Sequence, residues 1–169
     1  MYIFYYIIIM NLHQKVLIYI EIEKNSNIKY EFCKKENKLI IDRILSEQYK
    51  YPYAYGYIPN TLGDDGDELD ALIITNKDNI FNNKYYDAYI IGHLKMHDEK
   101  GKDEKIICIL EEDYNHINDI NDLDNEIKIE IELFFNNYKN NEINKWSKTF
   151  GYESKEKSIE LFKKSIIVK

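Results

Sequence analysis

Asp64-Asp65-Gly66-Asp67-Glu68-Leu69-Asp70-Ala71-Leu72-Ile73-Ile74-Thr75 joins an acidic turn to a run of core-type residues. Five carboxylates crowd into the first seven positions around one glycine, and Ala71 to Thr75 reads as a buried strand leaving that loop. So much like charge costs free energy unless something positive compensates it. A solvated turn is the plain explanation; a bound hard cation such as Mg²⁺ or Ca²⁺, which takes oxygen ligands, is the functional one. The setting favours the second. A cluster of phenols, Tyr51-Pro52-Tyr53-Ala54-Tyr55-Gly56-Tyr57, lies upstream, and a second acidic loop, Asp98 to Asp103, lies downstream. Isolated cations, Lys29, Arg43, Lys105 and Lys139, are spread along the chain. Acidic loops for metal with scattered Lys and Arg point to a metal-dependent enzyme acting on a phosphate-rich substrate.

Outward from this loop the chain alternates between short strands and turns. Val16 to Ile22 is β-branched and apolar, and Glu23 to Asn27 is a polar turn. Ile28 to Cys33 alternates, which sets Lys29 and Glu31 side by side on one face. Glu36-Asn37-Lys38 is a hairpin turn, and Leu39 to Arg43 returns as a strand. Tyr51 to Pro59 is extended and aromatic, with its two prolines limiting regular pairing. Tyr89 to Met96 and Lys105 to Leu110 are two further strands, joined by the polar stretch His97 to Glu104. Short strands with turn signals predict a small barrel. The last third reads as helical. Asp122 is a candidate cap, with Glu126 and Glu130 in the early turns. Ile127, Ile131, Phe134, Phe135 and Tyr138 follow at helical spacing; Ile127 to Leu133 also fits a strand, but the length of the run favours helix. A final helix covers about Ser154 to Ser165, with Ile159, Leu161 and Phe162 inward. The predicted class is α+β, a barrel flanked by two helices in a single domain over residues 1–169.

The chain is long enough to bury a good core, and its composition is that of an ordinary globular protein. A formal net charge of -7 disfavours nucleic acid, whose affinity comes from Lys and Arg on phosphates. Bound metals would reverse the local field, so an anionic substrate stays compatible with it. Cys33 and Cys108 sit in strand-like contexts without a CxxC, and are read as packed free thiols of a reducing, cytoplasmic compartment. Residues 1–9 are strongly apolar but lack a basic n-region and are too short to span a bilayer, which takes about 20 residues. Met10 is read as the natural start and residues 1–9 as an upstream extension; no membrane role is expected.

Asp65-Gly66-Asp67-Glu68-Leu69-Asp70 resembles the signature of the soluble family I inorganic pyrophosphatases. The likeness runs in the family's order from about residue 16 to 152. It takes in Ile28-Lys29-Tyr30-Glu31, Ile41-Asp42-Arg43, Tyr55-Gly56-Tyr57-Ile58-Pro59, Asp98-Glu99, Asp103, Lys105, Tyr138-Lys139 and Lys145-Trp146. The resemblance implies a five-stranded, OB-like barrel with an acidic site at its mouth, hydrolysis of pyrophosphate to two orthophosphates, and several Mg²⁺ ions per site. It implies that Asp65, Asp70 and Asp103 hold one metal, with Asp70 shared with a second. Asp98 and Asp103 would hold metals arriving with substrate, and Glu31 would line the metal site. Asp67 would be the general base for the attacking water. Lys29, Arg43, Lys105, Tyr138 and Lys139 would contact the phosphates, with Tyr55 close by. Glu21 would line the metal site with Glu31, and packing or a supporting role suits Glu21 and Tyr51 equally. The short length resembles the bacterial form, which implies a homo-oligomer, with a homohexamer favoured. Three positions depart from the family's pattern: Glu23 stands for a common proline, Ala54 for a polar residue near the site, and His97, read as an exposed loop histidine, for a common threonine. Two rival readings are a phosphohydrolase for nucleotides or polyphosphate, and a catalytically silent OB-like binding module. The second would predict lost site carboxylates, and none is lost.

Overall fold

β-branched and aromatic runs form the strands, and the turns between them rest largely on asparagine: Asn25, Asn37, Asn60, Asn83 and Asn144 all adopt positive φ. The computed structural model describes residues 13–114 and 116–167, so the apolar residues 1–9 lie outside the described part. In chain order the strands are β1 (Lys15–Ile22), β2 (Ile28–Cys33), β3 (Lys38–Ile44), β4 (Ala54–Tyr57), β5 (Asp70–Ile74), β6 (Lys84–Asp98), β7 (Gly101–Lys102), β8 (Lys105–Ile109) and β9 (Ser147–Ser154). Two α-helices, α1 (Asn125–Asn137) and α2 (Lys155–Ser165), follow β8 and β9.

Five strands close a ring in the order β1, β4, β5, β8, β6 and back to β1. All pairs are antiparallel except β5 with β8. This is the five-stranded barrel with two helices that the sequence predicts. The short strands β5 and β8 are apolar on both faces because both faces are covered. Leu72, Ile74, Ile107 and Ile109 join a cluster with Phe134 and Phe135 of α1. Ala71, Ile73, Ile106 and Cys108 join a second cluster with Ile159 of α2. Asp70 and Lys105 begin these two strands and, by alternation, share the face of the first cluster. The site is therefore an extension of the core packed under α1.

Several expectations are corrected. The segment Ser147–Ser154 is a strand, β9, which the sequence reading misses; it lies along the second half of β6 from Gly92 to Asp98. Its burial alternates only from Ser147 to Phe150, none of its residues is fully buried, and Gly151 within it has φ +77. β6 is longer than predicted because β1, β8, β7 and β9 all pair with it. His97 is consequently a strand residue whose ring packs, tilted, against Phe150 at 4.8 Å, not a loop histidine. Asp122 does not cap α1, which starts after Asp124. Its carboxylate instead accepts from the backbone of Asn118 and Asp119 and closes a capping box on the one-turn 3-10 helix Ile120–Asp122. In α2, Ile159 is buried as expected, while Leu161 and Phe162 are partly buried against the second cluster.

The ring closes where β1 crosses β4, and Gly56 sits at that crossing. A Cβ there would lie 2.8 Å from the Tyr19 carbonyl carbon and 2.9 Å from the Ile20 Cα, and closer still to the Tyr19 oxygen. These are backbone atoms in a closed ring, so they cannot step aside. Gly56→Ala is expected to lower stability by about 3 kcal/mol or more in urea unfolding; an unchanged midpoint would show that the crossing is not the constraint proposed.

Candidate active site

One open cavity of about 270 Å³ lies at the barrel mouth. Every sequence-predicted site residue except Tyr51 lines it. The loop leading into β5 with the start of β8, the β2–β3 hairpin, and the end of α1 with the β6–β7 turn supply most of them; β1 adds Glu21 and β4 adds Tyr55.

The acidic loop is a turn, as its charge and glycine suggest. Gly66, at φ +90, makes the turn, and Gly63 N donates to Asp67 O at 2.7 Å across it. Asp65 Oδ1 accepts from Asp67 N at 3.1 Å. Thr61 anchors the loop: its hydroxyl donates to Ile58 O and accepts from Leu69 N. Both carboxylates reach the cavity, Asp67 with a largely exposed side chain. Asp70 and Lys105 are direct partners in the parallel β5–β8 pair. Lys105 is almost wholly buried, and its Nζ donates to Asp70 Oδ2 at 2.5 Å and Asp103 Oδ1 at 2.6 Å. Burial opposes its charge, but the two carboxylates outweigh that and hold the lysine pKa well above its ordinary value.

On the hairpin, Lys29 and Arg43 are cross-strand partners. The register slips beside them, leaving Asp42 as the extra residue of a β-bulge. Asp42 Oδ2 accepts from Lys29 Nζ at 3.1 Å and Arg43 Nε at 2.8 Å. Lys29 also pairs with Glu31, as their shared face predicts. Burial opposes the Lys29 charge, but Glu31 and Asp42 raise its pKa above the usual value. Asp42 was not singled out from sequence; its place beside Arg43 was the available signal, but a bulge leaves no mark in one sequence.

Tyr138 ends α1 and Lys139 follows it. Lys139 Nζ donates to Asp98 Oδ2 at 2.8 Å and Glu99 Oε2 at 3.1 Å. Burial pushes the Asp98 pKa upward, but Lys139 and the Lys100 N–H more than reverse this. Tyr55 and Tyr138 are buried phenols whose pKa values burial raises, so both are hydrogen-bond donors at neutral pH. Tyr51 stands behind this wall, its ring 5.1 Å from Tyr55 and 4.7 Å from Phe134, outside the cavity. Ala54 faces the second apolar cluster and does not line the cavity, so its departure from the family's pattern is absorbed by the core. Lys34, Lys100 and Lys145, which carried no role in the sequence reading, also line the cavity; Lys100 Nζ is 3.8 Å from Asp67 Oδ2.

The donor set fits a hard divalent cation. The groups are carboxylate oxygens, and their charge is under strain: burial and the neighbouring Asp70 raise the Asp103 pKa despite Lys105. Burial, with Asp70 and Glu31 nearby, pushes Glu21 up to about 8 although Phe32 N donates to its Oε1 at 2.7 Å. A cation relieves both. Among the described residues no three such side chains are already drawn together tightly enough to hold a metal; Lys105 Nζ stands between two of them.

A model of the family described as inorganic pyrophosphatase matches residues 18–167. The inorganic pyrophosphatase of Helicobacter pylori is 42% identical over 154 residues, covering 88% of each chain. That of Saccharolobus solfataricus is 38% identical over 156 residues, covering 90% of each. A solved Helicobacter pylori inorganic pyrophosphatase superposes with a TM-score of 0.86 at 39% identity, over 90% of this chain and 92% of its own.

Glu21 makes a pH prediction. Between pH 4.5 and about 8 the folded chain keeps a proton there that the unfolded chain has lost. Stability from this group is therefore complete below pH 4.5 and is lost as pH rises through about 8. With chelator present, Glu21→Gln is expected to raise unfolding free energy above pH 8 by roughly 2–4 kcal/mol and to flatten the decline from pH 5 to 8. Parallel urea profiles for both proteins would refute the assignment.

Proposed function

The chain belongs to the inorganic pyrophosphatase family, and from that premise we propose that it hydrolyses inorganic pyrophosphate to two orthophosphates. The observation that carries the proposal is the meeting, in one cavity, of the acidic residues of three loops with cations from the hairpin, β8 and the end of α1. The metals in this proposal are Mg²⁺ ions, with Asp65, Asp70 and Asp103 as ligands and Glu31 and Asp98 beside them. When bound, such ions lower the pKa of a water and offset the charge of the substrate.

The remaining chemistry belongs to the side chains. Asp67, reachable from solvent, takes the proton of the attacking water. That water's oxygen bonds to one phosphorus as the bond from that phosphorus to the bridging oxygen breaks, and the second phosphate leaves. Lys29, Arg43, Lys105 and Lys139 offset the charge on the phosphates, as phosphoryl transfer requires. Tyr55 and Tyr138 donate hydrogen bonds as neutral phenols. Glu21 lines the cavity beside the metal ligands, and Tyr51 holds Tyr55 in place from behind. To meet a phosphate, Lys105 and Lys139 would give up part of their present pairing with Asp70, Asp103 and Asp98, the carboxylates that would then hold the metals.

The proposal includes a cytoplasmic homo-oligomer, a hexamer as in the short bacterial form. Ile129 and Leu133, exposed one turn apart on α1, are apolar surface suited to such contacts. Among the described residues no helix is long and apolar enough to cross a membrane.

The purified chain is expected to release phosphate from pyrophosphate with Mg²⁺ and not with excess chelator. Asp67→Asn is expected to lower kcat by about 10² or more while leaving the melting temperature unchanged. Absence of release from a folded sample with Mg²⁺ would refute the function; full activity of Asp67→Asn would refute the base.

A further inference from the structure

Beside Lys105 of β8, the phosphate-binding groups of the cavity come from two further pieces of chain: Lys29 and Arg43 from the β2–β3 hairpin, Tyr138 and Lys139 from the end of α1. The hairpin is a two-stranded sheet outside the barrel ring. Something must set how far these pieces stand apart, because charge stabilisation falls steeply with misplacement.

Glu142, in the loop after α1, reaches across that gap. Its Oε2 accepts from Arg43 Nη1 and from Lys145 Nζ. Asp42 takes the Nε side of the same guanidinium. Arg43 is thus gripped by two carboxylates, one from its own strand and one from the piece that carries Tyr138 and Lys139. Its remaining N–H groups are left for the cavity. Glu142 does not itself line the substrate cavity; it lines a separate one of about 280 Å³ behind Arg43. Burial pushes its carboxyl pKa up, but Arg43 and Lys145 bring it below the ordinary value, so it is an anion at neutral pH.

We propose that Glu142 is a positioning residue for the reaction: it fixes the Arg43 guanidinium and ties the hairpin half of the phosphate-binding wall to the α1 half. This rests on the function proposed above. Asp42 alone leaves a long, rotamer-rich side chain held on one side only; Glu142 supplies the second point that makes the guanidinium rigid before substrate arrives.

The test is a double-mutant cycle on steady-state pyrophosphate hydrolysis with Mg²⁺, comparing Glu142→Gln, Arg43→Ala and the pair. Glu142→Gln alone is expected to lower kcat/KM by about 10-fold to 100-fold, the usual range for one charged hydrogen bond. In the Arg43→Ala background the same change is expected to cost less than about twofold, because its target is already gone. A role confined to the loop, through Lys145, would cost the same factor in both backgrounds and would overturn the proposal. So would unchanged kcat/KM in Glu142→Gln. If Glu142→Gln does not fold, Glu142→Asp takes its place in the cycle with the same criteria. An inactive unmodified chain would overturn the function and this proposal together, whereas an active one with additive variants would overturn this proposal alone.

Discussion

Lys105 is held between Asp70 and Asp103, and the rest of the site is arranged around that contact. A buried ammonium is tolerable only with carboxylates against it, and breaking such a pair leaves an uncompensated charge. The parallel pairing of β5 and β8 makes Asp70 and Lys105 neighbours. The short turn after β7 then brings Asp103 to the same nitrogen. One lysine cannot satisfy both carboxylates and their acidic surroundings. Asp103 and Glu21 stay harder to ionise than ordinary carboxyls, chiefly because they are buried and further because other carboxylates stand close by. Buried carboxylates crowded in this way suit the cavity to the divalent cations and the polyanion of the proposed function.

The packing beneath supports this arrangement. Asp70 and Lys105 lead strands whose next inward residues, Leu72, Ile74, Ile107 and Ile109, are locked under α1. Phe134, Phe135 and Tyr138 pack against one another, Phe134 on Tyr51 and Phe135 on Tyr55, so the end of α1 is fixed relative to β4. Aromatic rings are stiff and lose little entropy on burial, which suits a wall that must not drift. The hairpin carrying Lys29 and Arg43 has less of that support. It is held by the Phe32 ring against Tyr19, by Phe32 N donating to Glu21, by backbone hydrogen bonds near Asn27 and Tyr51, and by ion pairs from Lys34 to Glu68 and from Arg43 to Glu142.

Much of this was legible in the sequence because it is local or repeated. Strand alternation placed Lys29 and Glu31 together, and the acidic turn announced itself by charge density. The family likeness then assembled residues as distant as Lys29 and Lys139 around one site. Contacts that depend on register or on two distant turns were not legible. Asp42 enters through a bulge, Glu142 through a loop that a single sequence shows only as polar, and β9 through pairing with an overlong β6. The expected cap at Asp122 failed because its carboxylate is spent three residues earlier, on the backbone of Asp119. In each case the deciding partner lay outside the segment being read.

Thermal unfolding of the chelated protein as Mg²⁺ is added, with sodium chloride of equal ionic strength as control, tests the central claim of held negative charge most directly. Binding to the folded state alone raises the melting temperature progressively with cation concentration. The account predicts such a rise with Mg²⁺, none with matched sodium chloride, and a much smaller rise in Asp70→Asn. A melting temperature indifferent to Mg²⁺, or one that rises equally in Asp70→Asn, would contradict it.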